Sequence, residues 1–188
     1  LLLRYQGTTI GRQELEGELF DEAPGARWKR STLEEHRRLD VIPMGLRERW
    51  VLGQADDALR DETAAAVISS LRLVRIVVAV DPAVSSEEDS DETGIVVMGI
   101  DRERHLWLLD DVSGRYSPNA WAQQAVTSFR RWKADRIVAE KNQRGAMVES
   151  TIRQADRDVP ITLVSASRGK EVRADPIAAV YEQGRAHH

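Results

Sequence analysis

The stretch Arg75–Asp101, RIVVAVDPAVSSEEDSDETGIVVMGID, limits the possible folds more than any other part of this chain. A branched apolar run from Ile76 to Val80 ends on Asp81, an acidic loop follows, and a second apolar run spans Ile95 to Ile100. A third run, HLWLLDDV, comes directly after the short DRER turn. Short runs rich in branched and aromatic residues, bounded by turn residues, predict strands, and the tight second join predicts an antiparallel meander. Ionised groups are costly to dry out. A carboxylate at the tip of a buried strand therefore either starts a turn, as Asp before Pro82 commonly does, or holds something positive.

Downstream of the meander the pattern alternates. SPNAWAQQAVTSFRRWKA predicts a helix with Ser117 as N-cap and Pro118 in the first helical position. Its Trp121, Ala125, Phe129 and Trp132 form one apolar stripe, read as core rather than as a ligand box. RIVAE (Arg136 to Glu140) predicts a short buried strand, AMVESTIRQAD a helix, PITLVSAS a strand, RGKEVR a loop, and ADPIAAVYEQG a last helix ended by Gly184. The order β-β-β-α-β-α-β-α implies a mixed sheet whose later strands are joined by crossover helices and covered on both faces. The expected fold class is α/β, a ribonuclease-H-like mixed central sheet flanked by helices.

The upstream part reads differently. ELEGELFDEAPGARW predicts a short helix ended by Pro24 and Gly25. In residues 31–74, STLEEHRRL opens with a good N-cap and acidic first turn, and ADDALRDETAAAVISSLRLV predicts a longer helix. VIPMGLRERWVLG, between them, carries no clear signal.

Composition removes several chemistries. The 188 residues include no cysteine, which excludes disulfides, thiolate zinc sites and cysteine nucleophiles. No run approaches the roughly 18 apolar residues that span a bilayer, and the start turns polar after three leucines, so neither a signal peptide nor a membrane partner is expected. The absence of an initiating Met suggests a fragment of a longer protein. The net charge is −4, but residues 1–128 carry 15 Lys/Arg against 23 Asp/Glu and residues 129–188 carry 12 against 8. A basic last quarter is compatible with a local phosphate-binding face.

The chemistry rests on two carboxylates. In a ribonuclease-H-like order the first and fourth strands are neighbours at the sheet centre, so Asp81 and Glu140 are expected to face one another. Paired carboxylates repel unless one protonates or a cation lies between them. Hard oxygen ligands without nearby His or Cys favour Mg²⁺ or Mn²⁺. Two such ions roughly 4 Å apart suit phosphodiester hydrolysis. Glu140 alone reads equally well as a surface residue at a strand end. Glu87, Glu88, Asp89 and Glu92 read as a solvated loop, while Asp91, just before the second strand, is a third candidate ligand. Asp175 reads as a helix cap rather than a ligand, and His187 and His188 receive no metal role.

Four stretches, RIVVAVDPAVSSEEDSDETGIVV, DDVSGRYSPNAWAQQAV, DRIVAEKNQRGAMVESTIR and LVSASRGKEVRADPIAAVYEQGRAHH, resemble the C-terminal nuclease domain of large terminase subunits. These are the DNA-packaging motors of tailed phages and gene transfer agents. RYQGTTIGRQELEGELF resembles the segment that trails from the ATPase domain. The resemblance implies three parts: a linker over 1–30, a helical insertion or lead-in over 31–74, and the nuclease domain over 75–188. It implies an endonuclease dependent on two Mg²⁺ or Mn²⁺ ions that cuts concatemeric double-stranded DNA when packaging starts and ends. Asp81 and Glu140 would be catalytic and metal-binding, with Asp91 close by. Arg168, Lys170 and Arg173 would hold the DNA backbone beside the site, with Arg144 and Asn142 as weaker contacts. The implied partners are the ATPase domain of the same polypeptide, the portal and the small terminase subunit, in the bacterial host cytoplasm and transiently at the procapsid portal vertex. No Walker motif is present, so this fragment is not expected to bind ATP. The family's third carboxylate normally follows the YEQGRAHH-like stretch, where this sequence stops, so a domain lacking its C-terminal end is expected. The alternative is a non-catalytic docking domain of the motor with a vestigial metal site.

Overall fold

The computed structural model describes residues 29–82, 92–141, 145–165 and 169–188. The chain divides into two compact units, Leu1–Glu35 and His36–His188. The described part of the first holds one short helix, α1 (Arg30–Glu35). Ser31, expected as its cap, lies inside the first turn, because the Lys29 carbonyl already accepts from the Leu33 amide at 3.0 Å. The short helix expected in ELEGELFDEAPGARW, ended by Pro24 and Gly25, lies outside the described residues.

The second unit runs through a 3-10 turn (Leu39–Val41), α2 (Met44–Val51), α3 (Asp57–Leu71), β1 (Arg75–Asp81), β2 (Gly94–Ile100) and β3 (Leu106–Asp111). It continues through α4 (Pro118–Arg131), β4 (Arg136–Glu140), α5 (Gly145–Ala155), β5 (Ile161–Val164), α6 (Lys170–Glu182) and β6 (Ala186–His187). The six strands form one sheet in the order β5-β4-β1-β2-β3-β6. β1, β2 and β3 are the antiparallel meander, and β4 and β5 add in parallel on the β1 side. The crossover helices α4 and α5 make that parallel addition possible. This is the expected mixed sheet.

Strand periodicity builds the core. Ile76, Val78 and Val80 of β1, Ile95 and Val97 of β2, and Ile137 and Ala139 of β4 alternate onto one face and are buried. Against them pack Ala64 and Val67 of α3, Trp121, Ala122, Ala125 and Val126 of α4, and Val148 and Ile152 of α5. At Gly99 of β2 the packing is close: a Cβ there would meet Leu73 and Leu109 methyl carbons at 3.0–3.1 Å, so those leucines would have to shift. The opposite face, with Val77, Ala79, Val96, Met98 and Val138, is half-buried. No helix among the described residues is long and apolar enough to cross a membrane.

Local signals account for most element ends. Ser117 caps α4, accepting from the Ala120 amide, with Pro118 in the first turn. Asp56 caps α3 through a 2.7 Å bond from the Leu59 amide. The expected stripe is in place: Trp121, Ala125 and Trp132 are buried, and Phe129 packs partly buried against the core. Residues 36–74 are not set apart from the sheet, because α3 contributes to its core and belongs to the same compact unit.

Three elements differ from expectation. The ambiguous VIPMGLRERWVLG contains α2, which starts after Pro43 and buries Leu46. α6 begins at Lys170, so RGKEVR is mostly helix, and Pro176 and Asp175 lie inside it rather than at its start. Asp175 therefore does not cap the helix. Finally, the chain turns at Gly184, where φ is +69°, and Ala186–His187 add a short strand parallel to the base of β3. A glycine takes that left-handed conformation without steric cost.

Candidate active site

The register places the two carboxylates. β1 and β4 align in parallel with Val80 opposite Ala139. One residue further, the last residue of β1, Asp81, lies beside the last residue of β4, Glu140. Partners in a parallel pair share a face, and neighbouring strands lie about 4.8 Å apart. Both side chains thus project from the half-buried face, at the C-terminal edge of the sheet centre. Asp81 is exposed, and the Glu140 side chain retains 27% of its accessible surface.

Two neighbours shape the space around them. On the β2 side, Asp81 pairs with Gly94. A Cβ at Gly94 would lie 3.7 Å from the Asp81 Cβ, so the glycine leaves the flank of the carboxylate open. On the β5 side, Glu140 pairs with the exposed Val164. The sequence reading did not single out Gly94; its position at the start of the second apolar run, across the meander from Asp81, was the available signal.

Arg173 approaches from α6. Its Nη1 donates to Glu140 Oε2 at 3.3 Å, joining residues 33 apart in sequence. The sequence reading gave Arg173 to DNA; in this structure its guanidinium rests on a carboxylate of the candidate site. The side chain of Lys170 and the residues Asp91, Arg144, Asn142 and Arg168 lie outside what is described. The meander's other tip carboxylates are engaged locally: Asp110 accepts from the Trp132 indole at 3.1 Å and Asp111 from the Ser113 amide at 3.0 Å.

The donor set suits a hard divalent ion. Among the described residues no group of three or more metal-ligating side chains converges. Mg²⁺, however, usually keeps several waters and is held by one or two carboxylates together with substrate phosphates. Asp81 and Glu140, at the ends of adjacent strands, fit that requirement in residue type.

With this geometry established, the comparisons decide the family. Residues 78–188 match the terminase RNaseH-like domain. The chain belongs to that family. Several solved structures are also similar to this terminase domain. The mutant nuclease domain of the large terminase subunit gp2 of bacterial virus Sf6, with manganese and β-thujaplicinol, is 16% identical at a TM-score of 0.45. That similarity covers 78% of this chain and 51% of the other, so the chain spans about half of the structure it matches. Thermus thermophilus RuvC in complex with a Holliday junction substrate is 16% identical at a TM-score of 0.39, over 58% of this chain and 78% of that one. The yeast mitochondrial Holliday junction resolvase Ydc2 is 10% identical at 0.40, over 67% and 72%. No curated protein matches the sequence.

Proposed function

We propose that this terminase domain is a Mg²⁺- or Mn²⁺-dependent endonuclease that cuts concatemeric double-stranded DNA at the start and end of packaging. The observation that supports the reading most is the register setting Asp81 beside Glu140 on one face at the sheet's C-terminal edge. Divalent ions held there would supply an activated water and neutralise charge developing on the phosphate oxygens. The chain's own part is positional. Asp81 and Glu140 fix negative charge at one point on a rigid sheet, and Gly94 keeps the flank open for a phosphate to approach. Asp91 is retained as a further ligand, and Arg168, Lys170, Arg144 and Asn142 as contacts to the DNA backbone. Portal, small subunit and the ATPase domain of the same polypeptide are the proposed partners, in the bacterial host cytoplasm at the procapsid vertex.

The test is nicking of supercoiled plasmid in MgCl₂ or MnCl₂, with EDTA as control. Asp81→Asn and Glu140→Gln, which keep side-chain size while removing the charge, should each lower the rate by at least about a hundredfold, a loss of roughly 2.7 kcal/mol of transition-state stabilisation. Full activity in both variants would refute the assignment. No cleavage and no saturable Mn²⁺ uptake by the wild type would favour the docking-domain alternative, whose metal site is vestigial.

A further inference from the structure

Two of the arginines that meet carboxylates of other elements in this domain, Arg131 and Arg173, are held differently. Arg131 of α4 is nearly enclosed, with 6% of its side chain accessible, and reaches Asp57 and Asp61 with two separate 2.7 Å contacts. Arg173 of α6 is 42% accessible and touches Glu140 through one nitrogen at 3.3 Å. Among the described residues that is its only side-chain hydrogen bond, although a guanidinium offers five donors. Its backbone is fixed in the first turn of α6, where its amide donates to the Gly169 carbonyl at 3.2 Å. The anchor is firm and the side-chain contact is loose.

Glu140 is one of the two carboxylates assigned above to the metal. A guanidinium has no lone pair to share with an ion and stays charged at all relevant pH. Its fixed positive charge, 3.3 Å from Glu140 Oε2, repels a second cation approaching that carboxylate.

We infer that Arg173 is an exchangeable counter-cation: its guanidinium occupies Glu140 in the metal-free protein, and arrival of the divalent ion releases it to bind a DNA phosphate. This rests on the proposed metal role of Asp81 and Glu140 and adds to it a regulation of the same site. Exchange gives the domain an order of events, because the phosphate contact becomes available only when the ion is in place. Once released, the guanidinium can meet a phosphate with two parallel N–H···O bonds.

The test is calorimetric titration of MnCl₂ into the chain, for wild type, Arg173→Gln and Arg173→Lys, followed by binding of a short DNA duplex with and without Ca²⁺. Removing a partly exposed ion pair that competes with the ion should tighten Mn²⁺ binding by Arg173→Gln about two- to fivefold. The same variant should bind the duplex more weakly than wild type in Ca²⁺ and equally without it. Arg173→Lys keeps the charge and should return Mn²⁺ affinity close to wild type. Unchanged or weaker Mn²⁺ binding by Arg173→Gln would overturn the inference, the latter making Arg173 a positioning residue for Glu140. A loss of duplex binding equal with and without Ca²⁺ would overturn it too. Wild type that takes up no Mn²⁺ is a different result: it defeats the metal assignment itself, and the exchange with it.

Discussion

Replacing Arg131 by Ala tests whether residues 36–74 are an integral part of the nuclease unit. The side chain leaves α4, is 6% accessible, and donates through Nε to Asp61 and through Nη2 to Asp57, both on α3. Burial opposes its charge, but the hydrogen bonds it donates to Asp61 and Asp57 outweigh that and hold its pKa above the usual arginine value. The carboxylates are 88% and 64% exposed, so they rehydrate when the arginine is removed and the two bonds contribute about 1 kcal/mol each. Loss of the buried stem's packing adds about 1–2 kcal/mol. The total, about 3–4 kcal/mol, corresponds to a fall in Tm of about 6–16 °C for a unit of this size. Thermal unfolding followed by circular dichroism reads it. Arg131→Met keeps the stem and should recover part of the loss. Asp57→Ala alone should cost less than about 1 kcal/mol. A loss under about 0.5 kcal/mol for Arg131→Ala would mean that α3 is not docked through this contact.

Two further outcomes follow from the same geometry. His187 is buried between Trp107 and His105, its Nε2 3.2 Å from His105 Nδ1, and burial, with the neighbouring His105, Arg38 and His36, lowers its pKa, opposed by Asp101. A lowered histidine pKa means the unfolded chain binds the proton more readily; stability is complete above about pH 6.5 and falls as pH drops from there toward the folded value. His187→Phe should flatten that limb in urea titrations across the range, and an unchanged slope would contradict it. Gly94→Val should leave the fold intact, since the first added carbon makes ordinary contact with Asp81, yet slow plasmid nicking by crowding its carboxylate; a wild-type rate would show that the open flank is not used.

Much of the fold was legible because its determinants are local. The branched runs of β1–β5, the Ser117-Pro118 helix start and the stripe through Trp121, Ala125 and Trp132 each declare themselves within one element. What escaped is non-local. Two-residue β6 exists because Leu106 and Trp107 offer it an edge, and nothing in GRAHH carries a strand period. Pro176 pointed to a helix start, since proline removes an amide and crowds the preceding turn; α6 nevertheless continues through it. That β1 and β4 are neighbours was expected from the ribonuclease-H-like order of the elements, and the register bears it out. The Arg173–Glu140 contact was not expected, since it depends on where α6 begins and how its first turn is aimed.

The account stands on a divalent ion shared by Asp81 and Glu140. Anomalous scattering from crystals soaked in MnCl₂ tests this most directly. The predicted result is a manganese peak bonded to carboxylate oxygens of both residues at the tips of β1 and β4, absent in Glu140→Gln. Manganese bound elsewhere, or a peak that persists unchanged in that variant, would contradict it.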